Sequence, residues 1–418
     1  MAYAKRTPVH RIFIARREHG AVPLDTDMPA GSTPALLPNL VPPLVLGTAT
    51  LATQAFAGAP LTSLLEGVCR GSEHPASIAF DQGLAMQLTF RREPGLVLQA
   101  AALAQSQVYR VRATEGGRPR ILAFCAPGNL MTNTPLEFLA EGAGAQLDLL
   151  FVSTEGPLPA RVPDHDVAFC AVSETAPDIL ARLAPWLTAW PRRVLNAPPA
   201  AARLTRDGAA RLLSGIDEVL VPEADCLDAA ALAATPDDWF PCLVRPAGTH
   251  AGEGLLLVTD REALDHAIGD LRARNYNRTR FVDYRSKDGL YRKYRVALVA
   301  GQPLLCHMAI SDRWMVHYLN AGMVEHPERR AEETRMMEIF ESTLGRRHGK
   351  AFAAIGERLG LDWVVIDCAE APDGRLLFFE ADVAAIVHAM DPPDLYPYKR
   401  AAMTRVFEAF RAMLVSAL

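Results

Sequence analysis

Hydrophobic spacing changes character several times along the 418-residue chain. Residues 1–45, ending in DMPAGSTPALLPNLVPP, carry proline and small residues without a period and read as an arm or linker. From about Leu44 to Arg110 apolar positions recur mostly at helical spacing, broken around Gly71-Ser72-Glu73-His74-Pro75. Gly95 to Gln107 is a strong helix pattern, and the unit expected over 46–117 is a helical region with a supporting role. Near Arg120 the period shortens. Ile121–Cys125, Gln146–Val152 and Val167–Val172 read as buried strands, alternating with helices that start after Thr134-Pro135, a cap followed by proline at the first position, and at Ala176. Strands alternating with helices predict a small parallel sheet over 118–200.

Beyond residue 200 the strand patterns carry charge, and the division expected is 201–300 and 301–418. Pro241 to Arg245 is a strand with one cation, followed by a loop with glycines at 248, 252 and 254 and the strand Leu255–Val258. Such glycines let backbone N–H groups approach phosphates. The loop matches neither GxxxxGK[ST] nor GxGxxG and does not open a helix, so P-loop and Rossmann readings are poor. A second strand, ending at Ala300-Gly301-Gln302, sets Lys293 and Arg295 on one face and Arg292 and Tyr294 on the other.

The sharpest chemistry lies near the C-terminus. Apolar runs ending in Asp367 and in Glu380-Ala381-Asp382 flank the turn Pro372-Asp373-Gly374 and predict a hairpin. Residues equally far from the turn face one another, so Asp367 and Glu380 can meet nearly opposite across it, and alternation puts Asp382 on the face of Glu380. Three carboxylates together repel unless a cation compensates them, and a hard divalent ion does so. The bland alternative, a solvated edge, fits poorly with Leu376-Leu377-Phe378-Phe379 just before the acids.

Composition narrows the class. A formal charge of −5 argues weakly against a nucleic-acid partner. The seven cysteines show no CxxC spacing and read as small buried residues in a reducing compartment. No run reaches a membrane span and the start lacks a signal-peptide core, so a soluble cytoplasmic protein without membrane partners is expected. Asn129, Thr132 and Asn133, after a strand's carboxyl end, are either substrate contacts or ordinary turn and cap residues. Glu328 to Arg335 reads as a solvated helix with mixed-sign pairs.

In their order these elements resemble the ATP-grasp superfamily, in particular the ribosomal-protein glutamate ligase and glutathione synthetase branch, over roughly Ile121 to Leu418. The resemblance implies an α/β fold (α+β ATP-grasp) with an additional N-terminal, mainly helical region. It also implies ATP with Mg2+, or Mn2+ in its place, and an ADP-forming carboxylate–amine ligation through an acyl phosphate on a small-molecule or peptide substrate. Arg245, Lys293 and Arg295 would meet phosphate, His250, Gly252 and Gly254 would belong to the flexible loop, and Asp283 and Tyr284 would lie at the adenine and ribose. Asp367, Glu380 and Asp382 would hold metal, and Arg295, Arg313 and Glu380 would act in catalysis. Arg313 would receive a carboxylate or acyl phosphate and Asn320 would approach the γ-phosphate, unless 308–323 is an interdomain loop steadied by Trp314 and Tyr318. His388 either lines the site or is a buried, hydrogen-bonded histidine. Aspartate at 382 replaces a common asparagine, and arginine at 245 a frequent lysine. A kinase and a non-catalytic nucleotide-binding regulatory or scaffold protein stay open, as does a homodimer.

Overall fold

The computed structural model describes residues 33–249, 252–270, 273–317 and 320–418. Most of the expected arm and His250 lie outside them. The first half is built on β1 (Ala35–Leu37), β2 (Leu44–Val45), β3 (Val108–Val111), β4 (Arg120–Cys125), β5 (Gln146–Phe151), β6 (Arg161–Pro163), β7 (Val167–Cys170) and β8 (Val194–Leu195). Six of them form one sheet in the order β2-β3-β5-β4-β7-β8, parallel except for β3 against β5, while β1 pairs with β6. The continuous apolar runs of β4, β5 and β7 follow from burial on both faces.

The helical region is an insertion between two neighbouring strands. Helices Gly47–Phe56, Leu61–Gly71, Pro75–Leu88 and Arg92–Leu103 leave the sheet after β2 and return at β3, which pairs with β2. His74 caps the third helix by accepting the Ala76 N–H, and Pro75 opens it. The last two helices touch at a pair of glycines, since a Cβ on Gly83 would fall 2.8 Å from the Gly95 carbonyl oxygen and one on Gly95 2.7 Å from that of Gly83. Two remote carboxylates hold the start of the first helix. Asp81 accepts from Leu46 and Gly47 N–H at 2.8 and 3.0 Å, and Glu137 accepts from Ala49 N–H at 2.8 Å. Burial pushes Asp81 up to about 6 and Glu137 up to about 7.

The second half contains β9 (Val219–Leu220), β10 (Ala224–Asp228), β11 (Cys242–Pro246), β12 (Leu256–Val258), β13 (Asn275–Arg280), β14 (Tyr291–Val299), β15 (Gln302–Ser311), β16 (Trp363–Glu370) and β17 (Leu376–Asp382). An antiparallel four-stranded sheet, β10-β13-β11-β12, forms a small unit of its own, in the place where the resemblance expects a lid. Its small separate core is Leu232, Trp239, Cys242, Val244, Val258, Leu264 and Tyr276, with the guanidinium of Arg278 3.6 Å and that of Arg280 4.4 Å from the Trp239 ring. The remaining strands form a five-stranded sheet, β15-β14-β16-β17-β9. The division expected at residue 300 therefore runs through the turn of the β14–β15 hairpin, because β14 pairs with β15 and β16 and not with the lid.

The C-terminal helix Lys399–Ser416 ties this sheet to the α/β half. Phe410 meets Trp363 of β16 edge-on at 5.6 Å and lies 6.3 Å from Phe169 of β7. Arg411 donates to the carbonyls of Arg118 and Ala143. Asn196, beside β8, adds a two-way bond to Trp363, its amide donating to the carbonyl and its oxygen accepting the N–H, both at 2.8 Å. One correction concerns Glu328 to Arg335, which is not a solvated face. Arg329 and Arg330 in helix Pro327–Ile339 donate to the carbonyls of Ile310, Ala321, Met323 and Val324, and Glu333 is fully buried against Lys399 at 2.5 Å. No helix among the described residues is long and apolar enough to cross a membrane.

Candidate active site

The acidic hairpin forms, and a bulge between Asp367 and Cys368 sets its final register, since Cys368 faces Phe378 whereas Asp367 faces Glu380. β16 and β17 pair antiparallel, with Asp367 opposite Glu380 and the turn closed by bonds between Ala371, Gly374 and Arg375. β14 lies on the other side of β16 and brings Arg295 opposite Asp367. Arg295 binds Asp367 with both prongs, at 2.8 and 3.0 Å, and Lys293 reaches the same carboxylate at 2.7 Å. Asp367 is 2% exposed. Burial opposes its ionisation, yet Arg295 and Lys293 together hold it well below the usual carboxylate range. Arg292, on the opposite face, pairs with Asp288 and Glu332 instead.

Two residues that the local sequence did not single out complete the cluster. Arg206, at the start of helix Arg206–Leu213, meets Glu380 at 2.5 Å. Burial works against the Glu380 charge, and Arg206 outweighs it, so its pKa is lowered. Glu174 follows β7 and reaches the same place from the α/β half. Burial and then Asp382 push it up to about 8, and its Oε2 is out of solvent without a hydrogen-bond partner. Asp382 accepts the Ala384 N–H at 2.6 Å and is pushed up to about 6 by burial and Glu380. Only the rule that ligands gather at strand carboxyl ends pointed toward Glu174. Its flanking Ser173 and Thr175 look like cap residues, and Arg206 stands in a helix start.

From the lid, Arg245 is buried and bonds to Thr249 through its Nε at 3.1 Å. Burial, then Arg206, lower its pKa to about 10, while Glu380 pulls it upward, which places Arg245 within electrostatic reach of the cluster. The loop beyond it turns through Gly252 and Gly254 at φ 77° and 65°, a backbone state that other residues enter with strain. The site thus has four cations (Arg206, Arg245, Lys293, Arg295) among four acids (Glu174, Asp367, Glu380, Asp382), contributed by the α/β half, the lid and the five-stranded sheet.

Other candidates lie in quieter surroundings. The Tyr284 ring is buried against Tyr291 and Phe379, and its hydroxyl donates to the Trp314 carbonyl at 2.7 Å, so its side chain is engaged in packing. Asp283 is half exposed and accepts from Arg285 N–H. Arg313 is exposed, with its N–H on Ser311 Oγ. Asn320 closes a local turn onto His317 N–H at 2.9 Å. Asn129 accepts from Met131 N–H, and Asn133 bonds both polar groups of the Ala126 backbone at 2.8 Å, which is the turn-and-cap outcome. His388 accepts the Met390 N–H and packs near Phe56 and Phe138.

The carboxylates are the hard oxygen donors that Mg2+ takes, and they fit that ion in kind. Each of Asp367 and Glu380 is engaged by a cationic side chain, and among the described residues no three His, Cys, Asp or Glu side chains converge as a ready metal cluster.

No protein-family model matches the sequence, and no curated protein does. Among solved structures the chain is similar to a RimK domain protein ATP-grasp from Sphaerobacter thermophilus DSM 20745, at 18% identity over 71% of this chain and 99% of that one, TM-score 0.42. It is similar to the VanG D-Ala:D-Ser ligase from Enterococcus faecalis, at 12% identity over 71% and 98%, TM-score 0.42. A third likeness is to the ATP-grasp ligase PsnB complexed with a minimal precursor, at 13% identity over 71% and 99%, TM-score 0.41.

Proposed function

We propose that this protein is an ATP-dependent, ADP-forming ligase that joins a carboxylate to an amine. The observation that carries the reading is the meeting of Arg206, Arg245, Lys293 and Arg295 with Asp367, Glu380 and Asp382 between a glycine-looped lid and the five-stranded sheet. Polyphosphate needs fixed positive charge on its oxygens, and arginine supplies it in a planar fork. Glu380 and Asp382, with Asp367 behind them, would hold Mg2+, which when bound neutralises phosphate charge and polarises the transferred group. As nucleotide enters, Arg206 exchanges Glu380 for phosphate oxygen, and Arg245 carries the lid down with its loop. Lys293 and Arg295, braced by Asp367, remain on the floor of the site and steady charge developing on the phosphoryl group. The lid excludes water, so that an acyl phosphate survives until the amine attacks. A cytoplasmic setting belongs to this reading.

Calorimetry with ATP, with and without Mg2+, is the first test, and absence of binding at millimolar ATP in folded protein would end the proposal. An ADP-release screen over amino acids and glutamate-rich peptides follows, with product mass identifying the new bond. A phosphorylated hydroxyl product would make the protein a kinase. One observation favours a second reading, a nucleotide-binding regulatory protein: the ion pairs already made by Asp367 and Glu380. ATP binding without turnover for any acceptor would support it.

A further inference from the structure

We propose that a cavity between β15 and the helices Pro327–Ile339 and Lys399–Ser416 is a binding site for a free amino acid with an apolar side chain, separate from the candidate active site. The cavity measures about 180 Å³. Its floor is Leu304, Leu305, Met337, Phe340 and Ala402, all buried, and its rim carries the exposed side chains of Glu338, Glu341 and Arg405. None of these residues belongs to the cluster around Glu380. Leu304 and Leu305 pair with Ala297 and Val296, so the cavity lies on the strand next to the one that carries Lys293 and Arg295.

Floor and rim each ask for part of a ligand. Side chains around a void forgo the dispersion contacts of close packing, and these five bring no donor or acceptor that would hold a water. A cavity of about 150 Å³ with such walls takes a guest the size of benzene, so this one has room for a branched, thioether or phenyl side chain. On the rim, charges of both signs line one opening and stay apart. Among the described residues neither Glu338 nor Glu341 makes an ion pair, although Arg405 lines the same cavity. The Arg405 guanidinium donates instead to the Met337 carbonyl at 2.9 Å, which anchors it at the cavity edge with further N–H groups to offer. Glu338 and Glu341, three residues apart and of like sign, gain from a cation between them. A zwitterion matches the whole arrangement: its carboxylate meets the Arg405 fork, its ammonium the two acids, and its side chain the floor. A fatty acid would leave the two acids uncompensated, and a simple amine would leave Arg405 so.

Calorimetry on the full chain without nucleotide tests this, with leucine, methionine and phenylalanine set against glycine, N-acetyl-leucine and leucine amide. Expected is saturable binding of at least one of the first three, with a dissociation constant of about 0.1–1 mM, and binding weaker by about tenfold or more for the others, each of which lacks the side chain or one charge. Arg405→Gln, which can still donate to the Met337 carbonyl, and the double exchange Glu338→Gln with Glu341→Gln should each weaken that binding by about tenfold. Ala402→Leu, which fills the floor, should abolish it. Thermal unfolding of each variant shows that folded protein is compared, and the rim variants, at exposed positions, decide the matter if Ala402→Leu does not fold. Failure of all three apolar amino acids to bind at tens of millimolar would overturn the proposal, as would equal binding of leucine amide or N-acetyl-leucine, or undiminished affinity in both rim variants. No nucleotide enters the experiment, so its failure and that of the ligase reading are told apart.

Discussion

Two buried ionic clusters sit against the same five-stranded sheet and follow opposite rules. Around Glu333 everything closes: Lys399 and the Met308 N–H take Oε1, and the Tyr398 hydroxyl takes Oε2. Around Glu380 acids and bases accumulate, with Asp367 held well below the ordinary range, Glu174 raised to about 8, and one oxygen left bare. A closed pair fixes how a helix docks. A cluster whose members are pushed toward different protonation states has its charge arranged for something that arrives from outside.

Mutation separates the two most sharply at their cations and acids. Lys399→Met leaves Glu333 buried without its counter-charge and is expected to cost about 3–5 kcal/mol in urea unfolding, while the folded fraction still binds ATP. Glu380→Gln should do the reverse. ADP release falls by about a hundredfold or more, as when a group that stabilises the transition state is lost, and the urea midpoint moves far less than in Lys399→Met. Near-normal turnover in Glu380→Gln would erase the distinction.

A third test concerns the carboxylates under the helical insertion. Glu137 is raised from its ordinary 4.5 to about 7, and Asp81 from 3.8 to about 6, both chiefly by burial. Folded-state values above those of the unfolded chain mean that their contribution is full below about pH 4 and is lost as the pH climbs through 6 and 7. Buried His165 and the half-buried His307, His317 and His388 have lowered values and push the other way, gaining stability over that range. The informative quantity is therefore a difference. Glu137→Gln should gain on wild type between pH 5 and pH 8, by on the order of 2 kcal/mol. A constant gap across that range would show that Glu137 does not titrate there. The smallest effect is expected at the lid: Arg245→Lys should weaken ATP binding by about threefold and Arg245→Ala by about tenfold in calorimetry, because the charge matters more than the fork. Equal affinity in all three would place Arg245 outside the nucleotide site.

The acidic hairpin was legible because most of its logic is local. Two apolar runs, one turn and a two-residue alternation bring Asp367 near Glu380 and set Asp382 on the face of Glu380, while the bulge beside Asp367 that makes the pairing direct carries no local signal. Lys293 and Arg295 were legible for the same reason. That they oppose the acidic hairpin followed from charge, but the register that sets Arg295 directly against Asp367 was not legible, since a strand's neighbours in a sheet are chosen by packing far along the chain. Arg206 and Glu174 were hidden for that cause, each meeting Glu380 or Asp382 across more than 170 residues of sequence. The helix from 327 misled because its mixed charges look solvated, whereas Arg329 and Arg330 turn theirs onto carbonyls of β15 and of the segment before the helix. Asn129 and Asn133 were ambiguous by nature, as the same amide that could hold a substrate holds its own turn.

The C-terminal helix has a mechanical consequence. With Phe410 between Trp363 and Phe169, Arg411 on the Ala143 carbonyl and Asn196 clasping Trp363, the α/β half and the five-stranded sheet share one core and cannot swing apart without tearing it. Among the described residues the four-stranded unit has a hydrophobic core of its own. Trp239 sits in that separate core with the guanidinium groups of Arg278 and Arg280 over its ring, so its fluorescence reports the packing of this unit independently of the rest of the molecule.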